Sequence, residues 1–231
     1  MQLHIREEGS GDRTAVLIHG ATGDGGTWFD TAPNLVSLGY RVLMPDLRGH
    51  GESPRAESYD LEEYAGDLVE SLPRGVEIIL GHSLGGRVLS LAIDRLLPDR
   101  AIYLDPGWTL PATVPEGITP TAADGSSMSE EHLRRINIKW SEAHIRQSLA
   151  SYAKFDSRVL EFLPWGTTYL PSLPPAVPSL VILAGVGPSV SPAEQAQLGE
   201  AGYEIRTVND SGHVVFADDL PGFFEAIDGW I

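Results

Sequence analysis

Val76-Glu77-Ile78-Ile79-Leu80-Gly81-His82-Ser83-Leu84-Gly85-Gly86-Arg87 decides the fold. An apolar run, the core of a buried strand, leads straight into Gly-x-Ser-x-Gly. A helical pattern over 84–97 follows and is stopped by Pro98. A strand that becomes a helix over so few residues leaves no room for side chains beside the bend, and Gly81 and Gly85 have none. Such a turn lifts the Ser83 hydroxyl clear of the sheet beside a helix N-terminus, whose partial positive charge favours a developing anion. Ser83 is therefore the candidate nucleophile.

Outward from this turn, Val16-Leu17-Ile18, Val42-Leu43-Met44, Ile102-Tyr103-Leu104 and Leu180-Val181-Ile182-Leu183 are further strand cores. They are continuous rather than alternating, as expected of strands covered on both faces in a parallel sheet. Leu3-His4-Ile5-Arg6 and Tyr203-Glu204-Ile205-Arg206-Thr207-Val208 read as more exposed strands. Between them lie helical patterns. One starts at Asp60-Leu61-Glu62-Glu63, with Asp60 as N-cap, and continues through Tyr64, Leu68 and Leu72. Another starts at Ser191-Pro192-Ala193-Glu194, and 221–231 is expected to be helical. Strand–helix alternation implies an α/β, doubly wound sheet. Residues 107–175 interrupt it. They hold no convincing strand, have proline-rich edges (Pro111, Pro115 and Pro120 at one, Pro164, Pro171 and Pro174 at the other) and have a helical middle over 129–163.

A hydroxyl needs a base to act as a nucleophile. Of the seven histidines, His213 stands in Asp210-Ser211-Gly212-His213, after the last strand and before a helix. Loops at the carboxyl ends of strands are where an open α/β sheet gathers reactive groups. His213 is the candidate base. The formal net charge of −16, with 32 acidic against 16 basic residues, argues against nucleic acid and anionic lipid as partners. With no cysteine, disulfides and thiolate metal sites are excluded. The first residues hold no apolar leader and no run approaches a membrane span. The expectation is a cytoplasmic monomer or homodimer acting on a small molecule, with no membrane partner.

These motifs together resemble the α/β-hydrolase superfamily, in its capped serine esterase and lyase branch. The resemblance rests on His19-Gly20, on Pro45-Asp46-Leu47-Arg48-Gly49-His50-Gly51-Glu52-Ser53, on the Ser83 turn and on the late Ser211-Gly212-His213, which arrive in the family's order. It implies an α/β-hydrolase fold, a mostly parallel doubly wound sheet, with a core of 1–106 and 176–231 and a helical cap, 107–175, inserted after the sixth strand. It also implies an oxyanion hole made by the backbone amides of Ala21 and Leu84.

One departure matters. The loop after Leu180-Val181-Ile182-Leu183, where the family commonly carries its acid, reads Ala184-Gly185-Val186-Gly187-Pro188-Ser189-Val190-Ser191 and has no carboxylate. Asp105, at the end of the strand after the nucleophile helix, is the known alternative position and the candidate triad acid. Asp210 and Glu194 are the other candidates. Candidate substrate contacts are His19, Gly20, Trp28, His82, Trp108, Trp140, Trp165 and Val214. No basic cluster stands out to bind a carboxylate or phosphate tightly, and Arg87, Arg134 and Arg135 are the remaining candidate cations. The expected activity is hydrolysis of a small, moderately apolar ester, thioester or lactone through an acyl-enzyme, with no metal or organic cofactor. The alternatives are elimination, carbon–carbon cleavage or cofactor-free oxygenation with His213 as base, and a receptor without turnover.

Overall fold

The computed structural model describes residues 1–119, 121 and 128–231, so Pro120 lies outside the described residues. Its sheet has seven strands: β1 (Ile5–Glu8), β2 (Arg13–Ile18), β3 (Tyr40–Pro45), β4 (Ile78–His82), β5 (Arg100–Leu104), β6 (Ser179–Ala184) and β7 (Glu204–Val208). They run in the order β1-β3-β2-β4-β5-β6-β7. Every pairing is parallel except β1 with β3. The two half-exposed strands anticipated from sequence, β1 and β7, are the sheet's edges.

The continuous apolar runs feed both faces. Val16, Ile18, Ile79, Tyr103 and Val181 pack on one side with α2 (Leu61–Ser71) and α3 (Leu84–Leu96). Leu17, Ile78, Leu80, Ile102 and Ile182 pack on the other with α1 (Thr31–Ser37), Phe216 and Phe223. A period of two thus places every residue of a run in one core or the other, and each large aliphatic so buried contributes about 1.5–3 kcal/mol.

Between β5 and β6 the chain forms α4 (Glu130–Ile136), α5 (Glu142–Tyr152) and α6 (Val159–Phe162). Thr109 and Thr168 pair antiparallel where this insertion leaves and rejoins the core. Counted along the chain it follows the fifth strand, not the sixth, because only β1 precedes the first long strand. Hydrogen bonds tie its helical part to loops of the core. The Asp156 amide donates to the Gly49 carbonyl at 2.8 Å, Tyr59 donates to Asp156 at 2.6 Å, and Gln147 donates to Asp24 at 3.0 Å.

Two caps expected from sequence differ. Ser191 and Glu194 form the reciprocal capping box at the start of α7 (Pro192–Glu200). Asp60 precedes α2 without a side-chain cap bond. Glu63, which a box there would have used, accepts instead from the Arg48 guanidinium at 2.7 Å. An ionic partner is the stronger hydrogen bond. The C-terminal stretch forms α8 (Val215–Asp218) and α9 (Leu220–Ala226). No described helix is long and apolar enough to cross a membrane.

Candidate active site

Ser83 sits between β4 and α3 with φ 50° and ψ −114°, a conformation that residues with a side chain rarely adopt. Close packing enforces it. A Cβ on Gly81 would lie 2.6 Å from the Gly85 carbonyl oxygen, and one on Gly85 would lie 2.5 Å from that of Ile18. The Ser83 amide donates to Leu104 at 3.1 Å, one rung beyond β4, and the Asp105 amide donates to Ile182 at 2.7 Å, one rung beyond β5. Ser83 and Asp105 therefore end neighbouring strands at the same edge.

His213 arrives between them from the loop after β7. Its Nε2 is 2.9 Å from Ser83 Oγ and its Nδ1 is 2.6 Å from Asp105 Oδ2. Asp105 is fully buried. Its Oδ1 accepts from the amides of Ala184 at 3.2 Å and Ser189 at 3.1 Å, and its Oδ2 also accepts from the Ser189 hydroxyl at 3.0 Å. Burial raises the acid's pKa, but His213 and these amides overcome it and leave the carboxyl below its ordinary range. An ionised Asp105 can only accept, so Nδ1 carries the proton and Nε2 presents its lone pair to the Ser83 hydroxyl. The loop after β6 has no carboxylate of its own and instead supplies the donors that hold Asp105.

A cavity of about 890 Å³ opens over Ser83 and His213. Ala21 and Leu84 line it, and neither backbone N–H has an acceptor among the described residues. For Leu84 this follows from its place as the first residue of α3, whose N–H can have no intrahelical partner.

The sequence pattern of the alpha/beta hydrolase family matches residues 15–226. The chain belongs to this family. It is 39% identical to the pyrethroid hydrolase of Sphingobium wenxiniae over 108 residues, 44% of this chain and 38% of that protein. It spans less than half the length of several other curated relatives it matches. The N-formylmaleamate deformylase of Pseudomonas putida is 25% identical over all of this chain and 92% of its own length. The crystal structure of N-formylmaleamic acid deformylase from Pseudomonas putida S16 superimposes with a TM-score of 0.78 at 23% identity, covering 98% of this chain and 96% of that one.

In this alpha/beta hydrolase the cavity brings together Gly20, His82, Trp140, Trp165 and Val214 of the expected contacts. It excludes three. Trp28 is fully buried against Phe216, 4.5 Å between ring centroids, in the core on one face of the sheet. Trp108 is buried on the other face, where its indole N–H donates to Ser90 at 2.9 Å and its ring packs on Tyr103. His19 is buried and accepts from the Leu47 amide at 2.9 Å, which fixes the loop after β3. His82 donates from Nε2 to the His213 carbonyl at 3.0 Å, and burial pushes its pKa down to about 3, so it braces His213 as a neutral ring.

Neither alternative acid reaches His213. Glu194 accepts from Thr109 at 2.5 Å and from the Ser191 amide at 2.7 Å. Asp210, at φ 62°, lies on the cavity wall, where its carbonyl accepts from Lys139. Phe29 and Ser189 were not singled out from sequence and both line the cavity. Phe29 follows Trp28, and adjacency put the wrong one of the pair on the wall. Arg134 and Arg135 are exposed and paired with glutamates.

Proposed function

We propose that this chain is a serine hydrolase that opens a small, moderately apolar ester, thioester or lactone through an acyl-enzyme. The observation that carries it is the unbroken hydrogen-bonded chain from Ser83 Oγ through the His213 ring to Asp105. Ser83 attacks the carbonyl carbon as its proton passes to His213 Nε2. The oxyanion takes the free amides of Ala21 and Leu84, each worth about 3–4 kcal/mol in such a role. His213 then gives its proton to the leaving oxygen or sulfur. A water, deprotonated by His213, attacks the acyl carbon and Ser83 recovers its proton. Asp105 stays ionised and offsets the imidazolium charge at each stage.

Residues 107–175 serve as the cap. Leu110, Leu133 and Ile136 contribute apolar wall and Trp140 and Trp165 aromatic wall, as a site for a largely apolar small molecule requires. Relatives named as a pyrethroid hydrolase and a deformylase support hydrolysis as the reaction class. The test is hydrolysis of short-chain 4-nitrophenyl esters by the parent and by Ser83→Ala. Turnover by the parent that is lost in the variant is the expected result. Equal turnover by both would end the proposal.

A further inference from the structure

Among the described residues two arginines are buried, Arg48 and Arg87, and they are held in opposite ways. Arg48 donates to Asp67 at 2.6 Å and to Glu63 at 2.7 Å, so its charge is met by two carboxylates. Arg87 is 4% exposed and is paired with no carboxylate among the described residues. Its Nη1 donates to the carbonyls of Gly107 at 3.2 Å and Trp108 at 3.4 Å, and its Nη2 donates to the Thr167 hydroxyl at 3.5 Å. The Tyr169 ring lies 5.6 Å from the guanidinium carbon. Its Nε–H has no acceptor among the described residues. A guanidinium does not shed its proton at neutral pH, so a buried charge stands here with only neutral partners, at a cost of several kcal/mol relative to water.

What makes this charge useful is its position. Arg87 lines the cavity one helical turn beyond Ser83, and its amide donates to the Ser83 carbonyl at 3.1 Å. One helical turn is about 5.4 Å along the axis, the span of a few methylene groups. The other cation on the wall, Lys139, is exposed and donates to the Asp210 carbonyl. A planar fork with an unpartnered N–H matches a carboxylate, which would supply the missing counter-charge and two strong hydrogen bonds.

We propose that Arg87 forms a carboxylate subsite in this cavity, so that the ligand is a short acyl compound with a free carboxylate a few carbons from its reactive carbonyl. The role of the reactive end rests on the serine hydrolase proposal; the anion subsite does not. Glu116, Asp210 and Asp218 also line the cavity, and the buried guanidinium supplies the local positive charge that an anion needs against them and against the net negative charge.

Binding is tested without turnover, by titration calorimetry of the Ser83→Ala protein with monomethyl glutarate and with dimethyl glutarate. The anion is expected to bind at least tenfold more tightly than the diester. Adding Arg87→Met brings the ratio close to one, and Arg87→Lys, which keeps the charge but loses the fork, lowers it several-fold. Lys139→Met retains the parent ratio. Equal or tighter binding of the diester, a ratio that survives Arg87→Met, or one lost only in Lys139→Met would overturn the subsite. A parent protein that hydrolyses no ester yet shows this preference would overturn the hydrolase proposal and leave the subsite standing.

Discussion

Asp46 and Asp105 are the same device used twice. Each is a buried carboxylate one residue beyond a strand, β3 and β5. Each gathers loop amides: Gly25 at 2.6 Å and Glu52 at 2.9 Å on Asp46, Ala184 and Ser189 on Asp105. Each has a histidine Nδ1 in reach, His4 at 2.9 Å and His213 at 2.6 Å. Both carboxyls are held below the ordinary range although burial alone would raise them. They differ in what lies beyond the ring. His213 goes on to Ser83 and a cavity, whereas the His4 ring, near the sheet edge, makes no hydrogen bond beyond Asp46 among the described residues. A carboxylate–histidine pair is thus a way to tie loops together, and it becomes chemistry only when the second nitrogen faces a nucleophile.

Removing the proposed nucleophile tests that distinction most severely. Ser83→Ala is expected to lower kcat on an ester substrate by about 10⁶ while the thermal midpoint holds or rises, since the strained turn no longer carries a functional side chain. Next in size is Asp105→Asn. An amide nitrogen there must face donors on either edge, and His213 loses the partner that fixes its tautomer. The expected loss is about 10³–10⁴ in kcat, read by steady-state kinetics, with circular dichroism close to the parent's. If the acid were instead Asp210 or Glu194, substituting those residues would produce that loss and Asp105→Asn would not.

Asp46→Asn should invert the balance. Leaving loop donors poorly satisfied costs about 1–3 kcal/mol, read as a thermal midpoint several degrees lower, with kcat within about tenfold of the parent. Ser189→Ala removes one of the bonds to Asp105 and is expected to cost about tenfold or less in kcat.

The smallest effect is in pH. A carboxyl whose folded pKa lies below its unfolded value stabilises the fold above about pH 4, the unfolded value, and that stabilisation is lost as pH falls through the folded one. Chemical denaturation of the parent should therefore need less denaturant as pH drops below about 4. Asp46→Asn and Asp105→Asn should each flatten that slope.

The strand cores were legible because a residue buried on either face of a parallel sheet must be apolar, and the Ser83 turn was legible because only glycine fits beside it. Asp105 was legible from its place at the end of the strand neighbouring β4. Less was legible where sequence position does not fix direction. Trp28 and Trp108 lie within a few residues of the cavity wall but turn into the two cores. Ser189 was hidden because a serine in a Gly- and Pro-rich loop carries no pattern until Asp105 is seen to need its donors. Asp60 matched a capping motif, but Glu63 was taken by Arg48, a partner 15 residues away that no local pattern shows.

Whether Ser83 is an activated nucleophile is read by peptide mass spectrometry after exposure of the parent and of Ser83→Ala to a fluorophosphonate. A single phosphonyl adduct on Ser83 is expected in the parent, formed far more slowly in Asp105→Asn and absent from Ser83→Ala. An unmodified Ser83 in the parent, or an adduct on another residue that persists in Ser83→Ala, would contradict it.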